Sequence, residues 1–76
     1  MTYYTIEIQA PGGIIPTEFA PGDYADPKAE AEAAYHTVLA AAAKSAVPRH
    51  GCMLINSDGD VEKKEFYLHR EVINDG

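Results

Sequence analysis

Three histidines, one cysteine and a scatter of carboxylates are the residues of this chain that chemistry could use. His36, His50 and His69, together with Cys52 and Glu65, are the donor types of a metal centre or an acid–base site. Zinc sites hold their ligands at short repeated spacings; no C-x-x-C pair occurs here, and the one H-x-E, His69-Arg70-Glu71, has no cysteine pair to complete a site. The five residues therefore read as ordinary surface or hydrogen-bonded groups, with no metal and no cofactor. His50 and Cys52 stand two apart in a strand-forming run and share a face, where an imidazole can activate a thiol. Inside the run Cys52-Met53-Leu54-Ile55 the cysteine reads better as a small buried hydrophobe. Asn56, Asp58, Gly59 and Glu65 fall at positions of a calcium loop, but its first position is Leu54, which cannot ligate. Gly12-Gly13 lacks the Lys-Ser/Thr pair and the following helix of a phosphate loop. No catalytic set emerges, and a non-enzymatic protein is expected.

Two groupings are left as binding candidates. Glu65, Tyr67 and His69 alternate along one strand and align an acceptor, a phenol and a titratable ring. With Tyr35, His36 and Ala40 of the central helix they make up the candidate interaction surface. Lys44, Arg49 and Arg70 are the candidate anion contacts of a second reading, a small-ligand binder such as a sequestering protein for a signalling nucleotide. Its site lies at a dimer interface, with Tyr35 or Tyr67 stacking on the ligand.

The element that must position these residues is the stretch Asp26–Val47, the only long helix the chain can make. Asp26 can cap its first turn, and Pro27 fits the first helical position, where a missing N–H costs nothing. Its interior is rich in Ala and Leu, strong helix formers, and Pro48 is expected to end it. At 100° per residue Ala31, Ala34, Tyr35, Val38, Leu39 and Ala42 gather on the core side, with Ala46 at the edge. Ala29, Ala33, His36, Thr37, Ala40 and Lys44 point outward. So small-sided an outer face is either helix propensity on a solvated surface or a flat seat for a partner.

Strands surround this helix. Thr2–Gln9 alternates, with Tyr4, Ile6 and Ile8 on one side and Tyr3, Thr5, Glu7 and Gln9 on the other, the pattern of a half-buried strand. Residues 11–26 are a Pro/Gly-rich loop or contain a short edge strand at 14–20, since Pro16 cannot donate to a central ladder. Arg49–Ile55 and Val61–Val72 are two strands about an Asp58-Gly59 turn. A three-residue loop with Gly59 left-handed sets Ile55 opposite Val61. On the last strand Val61, Lys63, Glu65, Tyr67 and His69 are expected on one face, and Glu62, Lys64, Phe66, Leu68 and Arg70 on the other. Residues 71–76 are expected to fray. The fold class is α+β: a single 76-residue domain in which one amphipathic helix crosses an antiparallel sheet of three to four strands.

Composition narrows the function classes. Of 35 apolar residues 12 are Ala, leaving 23 larger ones for the core, so a homodimer is expected as a remedy for small size. No run of about 18 apolar residues offers a membrane span, and no basic-then-apolar start offers a signal peptide. A lone cysteine fits a reducing cytoplasm. Twelve acids against six bases give a net charge of −6, too few Lys/Arg to replace phosphate counterions, so direct nucleic-acid binding is not expected.

The Tyr35-His36 pair followed by Leu39-Ala40, then Asp58-Gly59 and the Glu65–His69 segment, resemble features of a loose group of very short proteins. These are encoded by phages and mobile elements of gut-type bacteria. The likeness spans roughly residues 30 to 69 and brings no activity and no site residues with it. By analogy it implies a host-takeover or counter-defence role, since small acidic βαββ-type phage proteins include anti-CRISPR inhibitors. The expected function is stoichiometric binding to a host defence protein, with a basic surface on that protein as the feature the acids would cover.

Overall fold

A computed structural model of the chain describes residues 1–70. Four strands and one helix follow in the order β1 (Tyr3–Ala10), β2 (Gly13–Phe19), α1 (Pro27–Ala42), β3 (Arg49–Asn56) and β4 (Val61–Leu68). The strands form one antiparallel sheet in the order β2-β1-β3-β4, and the helix lies across one face of it. This is the expected α+β arrangement of two layers. The 11–26 stretch contains a true strand: β2 pairs with β1 from Phe19–Tyr3 to Gly13–Gln9, at the sheet edge that Pro16 tolerates. The expected fraying of 71–76 lies outside the described residues.

The helix starts as its sequence dictates. The Ala29 N–H donates to Asp26 Oδ1 at 3.2 Å, and Pro27 opens the first turn. Its buried residues are Ala31, Tyr35, Leu39 and Ala42, while Ala29, Ala33, His36, Thr37 and Ala40 are exposed. Its end is a correction. It stops at Ala42, five residues before Val47. The Lys44 and Ser45 N–H groups reach back only three residues, to the carbonyls of Ala41 and Ala42 at 3.3 Å, as the helix unwinds. Ser45 is drawn out of the helix to serve His50, as described below.

Which face of the sheet the helix covers is set by chain topology. β2 and β3 are each antiparallel to β1, so they run parallel to one another, and β2–α1–β3 is a crossover connection. Asn56 pairs with Asp60 toward β4 while its side chain is buried on the helix side, which makes the crossover right-handed. That is the hand such connections take almost without exception. The side so covered carries Tyr3, Thr5, Glu7 and Gln9 of β1, with His50, Cys52, Leu54 and Asn56 of β3. Cys52 and Leu54 are completely buried there. Phe19, Ala31, Tyr35 and Leu39 complete the cluster, and Tyr3, Ala34, Val38 and Tyr67 pack around it.

The β3–β4 loop is the three-residue kind. Ile55 pairs with Val61, and Gly59 has φ +88°, the left-handed conformation glycine adopts without strain. Asn56 Oδ1 accepts the N–H groups of Asp58 (2.9 Å) and Asp60 (3.2 Å), and its amide donates to Glu62 (2.9 Å). A register shift between Leu54 and Ile55 corrects one expectation: Val61 shares a face with Ile55, while Lys63, Glu65 and Tyr67 lie on the helix side.

Gly51 is demanded by packing. A Cβ there would stand 2.2 Å from the Glu65 carbonyl oxygen and 2.3 Å from Cδ1 of Phe66, whose ring lies across the glycine. Gly51→Ala must push β4 away from β3. We expect a loss of about 2 kcal/mol or more in urea unfolding, on the scale of overpacked sites. An unchanged midpoint would contradict this packing.

Candidate functional site

Three surfaces carry the residues of interest. The first is polar and sits where the helix ends. On β1 and β3 the pair Glu7–Cys52 is next to the pair Gln9–His50, so His50 lies diagonal to Glu7 beneath the end of α1. The His50 Nε2–H donates to Glu7 Oε2 at 2.6 Å, and Nδ1 meets Ser45 Oγ at 2.8 Å. Gln9 donates to the same Glu7 oxygen at 3.1 Å, and the Val47 N–H donates to Ser45 Oγ at 3.3 Å. A hydroxyl, an imidazole and a carboxylate are thus in series. The chain ties the post-helix segment to both central strands, and the buried imidazole has both ring nitrogens satisfied. Glu7 and Ser45 were not singled out in the sequence, because a contact between residues 43 apart depends on the β1–β3 register. No sequence signal pointed to it, since alternation alone does not say which rank of β1 faces the helix.

The hydrogen bond from His50 holds the Glu7 carboxyl below its ordinary value of 4.5, against an opposing push from burial and with help from Gln9. Cys52 behaves oppositely. Burial pushes its thiol up, and the neighbouring Glu7 carboxylate adds to the push. His50 and Cys52 do share a face, as the spacing implies, but His50 spends its nitrogens on Glu7 and Ser45 and the thiol is completely buried. That is the environment of an inert cysteine.

The second surface is the expected interaction cluster, and the structure divides it. Tyr35 is buried in the core, where desolvation first and the Glu65 charge second raise its phenol pKa. Tyr67 packs beside it, half-buried, and stacks on the His69 ring at 6.2 Å. The His69 Nε2–H donates to the Ala42 carbonyl at 2.7 Å, closing the helix end. Glu65 lies on the same helix-side rank, while His36 and Ala40 are exposed on the helix's outer side. Of the anion contacts, Lys44 follows the helix end, Arg49 begins β3 and Arg70 follows β4, so all three gather at one end of the molecule. Arg49 turns to the other face of the sheet, with its guanidinium 4.7 Å from the centre of the Phe66 ring. Among the described residues no group of three or more His, Cys, Asp or Glu is placed to hold a metal.

The third surface was not expected. The sheet side away from the helix carries Tyr4, Ile6 and Ile8 of β1, Met53 and Ile55 of β3, and Phe66 of β4. Nothing in the chain's described residues lies over them. Each is half-buried by its sheet neighbours alone, and Ile14 and Leu68 at the margins are 71% and 70% exposed. The larger aliphatic residues thus stand on the uncovered side, while the covered side is built of Ala, Thr, Cys and a few large groups. A contiguous apolar face of this kind is the mark of a contact surface.

The acids, spread along the sequence, also gather in space. Asp23, Asp26, Glu30, Asp58, Asp60 and Glu62 lie at the end where the helix begins and the β3–β4 loop turns, joined by the Lys28–Glu62 ion pair at 3.6 Å. Compared with known proteins, the chain matches no family model, no curated protein and no solved structure.

Two outcomes follow from the polar chain. Glu7→Gln removes a charge-assisted bond and should cost about 1–3 kcal/mol at pH 7. A depressed carboxylate contributes stability above its unfolded value and loses it as pH falls through the lower folded value. The gap between wild type and variant should therefore close as pH is lowered beyond 4.5; a gap constant down to strong acid would contradict the assignment. Cys52, for its part, should resist a thiol-specific disulfide reagent in the native protein and react at once in denaturant. Rapid native labelling would contradict its burial.

Proposed function

We propose that this chain is a non-enzymatic interaction protein that works by stoichiometric binding, with the uncovered apolar sheet face as a protein-contact surface and the acidic end as the surface that meets its target. The observation that carries this reading is the distribution of bulk: six large apolar side chains line a face the helix does not cover. Leaving such a face in water forfeits stabilisation on the order of 25 cal/mol per Å², which a small domain recovers by binding protein.

The charge pattern supports a basic protein as the target. The acidic end offers a surface complementary to lysine- and arginine-rich patches such as those that hold nucleic acid. The resemblance of the Tyr35-His36, Asp58-Gly59 and Glu65–His69 segments to short phage and mobile-element proteins supports a host target in the cytoplasm, with a defence protein of the CRISPR type as the leading example. The nucleotide-binding alternative loses one of its two stacking candidates, since Tyr35 is enclosed by the core, and Arg49 is engaged with Phe66 on the opposite face.

The test is capture of host proteins by the tagged chain at about 50 mM and about 500 mM salt, where the screening length falls several-fold. The wild type should retain basic proteins at the lower salt and release them at the higher. Asp58→Asn with Asp60→Asn should retain markedly less. Capture indifferent to both salt and these substitutions would contradict the charge-guided reading.

A further inference from the structure

We infer that the open sheet face is covered by a second copy of this chain, so that two sheets pack face to face with the helices on the outside. The inference rests on the reading of that face as a protein-binding surface and names its occupant. Three observations carry it.

The first is extent. Four strands about 4.8 Å apart, rising about 3.3 Å per residue over seven or eight residues, present a face on the order of 500 Å² in projection. Two copies together remove on the order of 1,000 Å² before side-chain relief is counted, the scale a specific interface must clear. The second is layer structure. The molecule measures 42 × 25 × 17 Å, thin for its length, and among the described residues no second layer lies on this side of the sheet. Sheets with apolar inner faces supply one another's missing layer at about 10 Å separation, strands aligned within about 30°.

The third is charge complementarity of the two edges. On this face β2 carries Glu18 and β4 carries Lys64, at opposite margins, with only Arg49 charged between them and held against Phe66. Both are exposed, and among the described residues neither is ion-paired within the chain. A two-fold axis running along the strands lays β2 of one copy over β4 of the other. Glu18 then meets the partner copy's β4 one rank from Lys64, within reach of a long side chain, and the contact occurs twice. The alternative two-fold, across the strands, lays β2 on β2 and forms no such pair. Each copy carries −6 and this axis sets the two acidic ends at the same end of the pair, but those acids lie at the loops and on the helix, off the apolar face, where their repulsion is screened by solvent and salt.

The measurement is solution mass by light scattering, on the full chain at about 100 μM, well above the Kd of a moderately stable dimer. The wild type should have twice the mass of one chain, 2 × 8.2 = 16.4 kDa. Met53→Glu, at the centre of the face, should give a single-chain mass with unchanged helix content by circular dichroism. Glu18→Lys or Lys64→Glu alone should weaken association about fivefold or more, and the double exchange should restore it to within about twofold. If Met53→Glu does not fold, the edge-charge set, made at exposed positions, decides the matter by itself. A single-chain wild-type mass, or single and double exchanges that behave alike, would overturn the inference. If the wild type has a single-chain mass while Met53→Glu still abolishes capture of a host protein, the second copy is excluded and the face remains a protein-binding surface. A single-chain mass with capture indifferent to Met53→Glu removes both.

Discussion

The hand of one connection governs this structure. Because β2 and β3 run parallel with β1 between them, the helix joining them must lie on the side that makes the crossover right-handed. That side carries Thr5, Glu7, His50 and Asn56 as well as Cys52 and Leu54. The described residues contain one helix, so the opposite side, with Ile6, Ile8, Met53 and Ile55, receives no cover from them. The buried polar chain from Ser45 through His50 to Glu7 and the exposed apolar face are two consequences of one topological fact.

Polar residues under the helix are accommodated by pairing them. Asn56 satisfies the loop amides and Glu62, and His50 satisfies Ser45 and Glu7. Among the described residues no buried side-chain nitrogen or oxygen is left without a partner. Such networks cost little when complete and specify a single register, because each partner sits at one place only. The network at the helix end also explains why α1 gives up its last turn, since Ser45 and Val47 are held by contacts that a continued helix could not make.

What was legible in the sequence was what local physics decides. Asp26-Pro27 marked the helix start, the 3.6-residue period marked Ala31, Tyr35 and Leu39 as inward, and Asp58-Gly59 set Ile55 against Val61. Pro16 pointed to a sheet edge, and β2 is there. What was not legible depends on pairing across the chain. Alternation in β1 separates Tyr4, Ile6 and Ile8 from Thr5 and Glu7, but it does not say which set the helix will meet; strand order and hand decide that. The helix end at Ala42 and the Glu7–His50 bond likewise follow from tertiary contacts. The candidate site was legible only in part: the Glu65, Tyr67 and His69 alternation places Glu65 and Tyr67 on one side, yet that side is the helix side, and Tyr35 is spent in the core.

Because every functional statement depends on which sheet face the helix occupies, the most direct measurement is proton–proton proximity in solution. In nuclear Overhauser spectra of the labelled protein the Leu54 methyl groups should show contacts to Tyr35 and Leu39, and the Met53 methyl should show none to any helix residue of its own chain. Cross-peaks from Met53 to Leu39 or Tyr35, with Leu54 silent toward the helix, would place the helix on the other face and contradict the account.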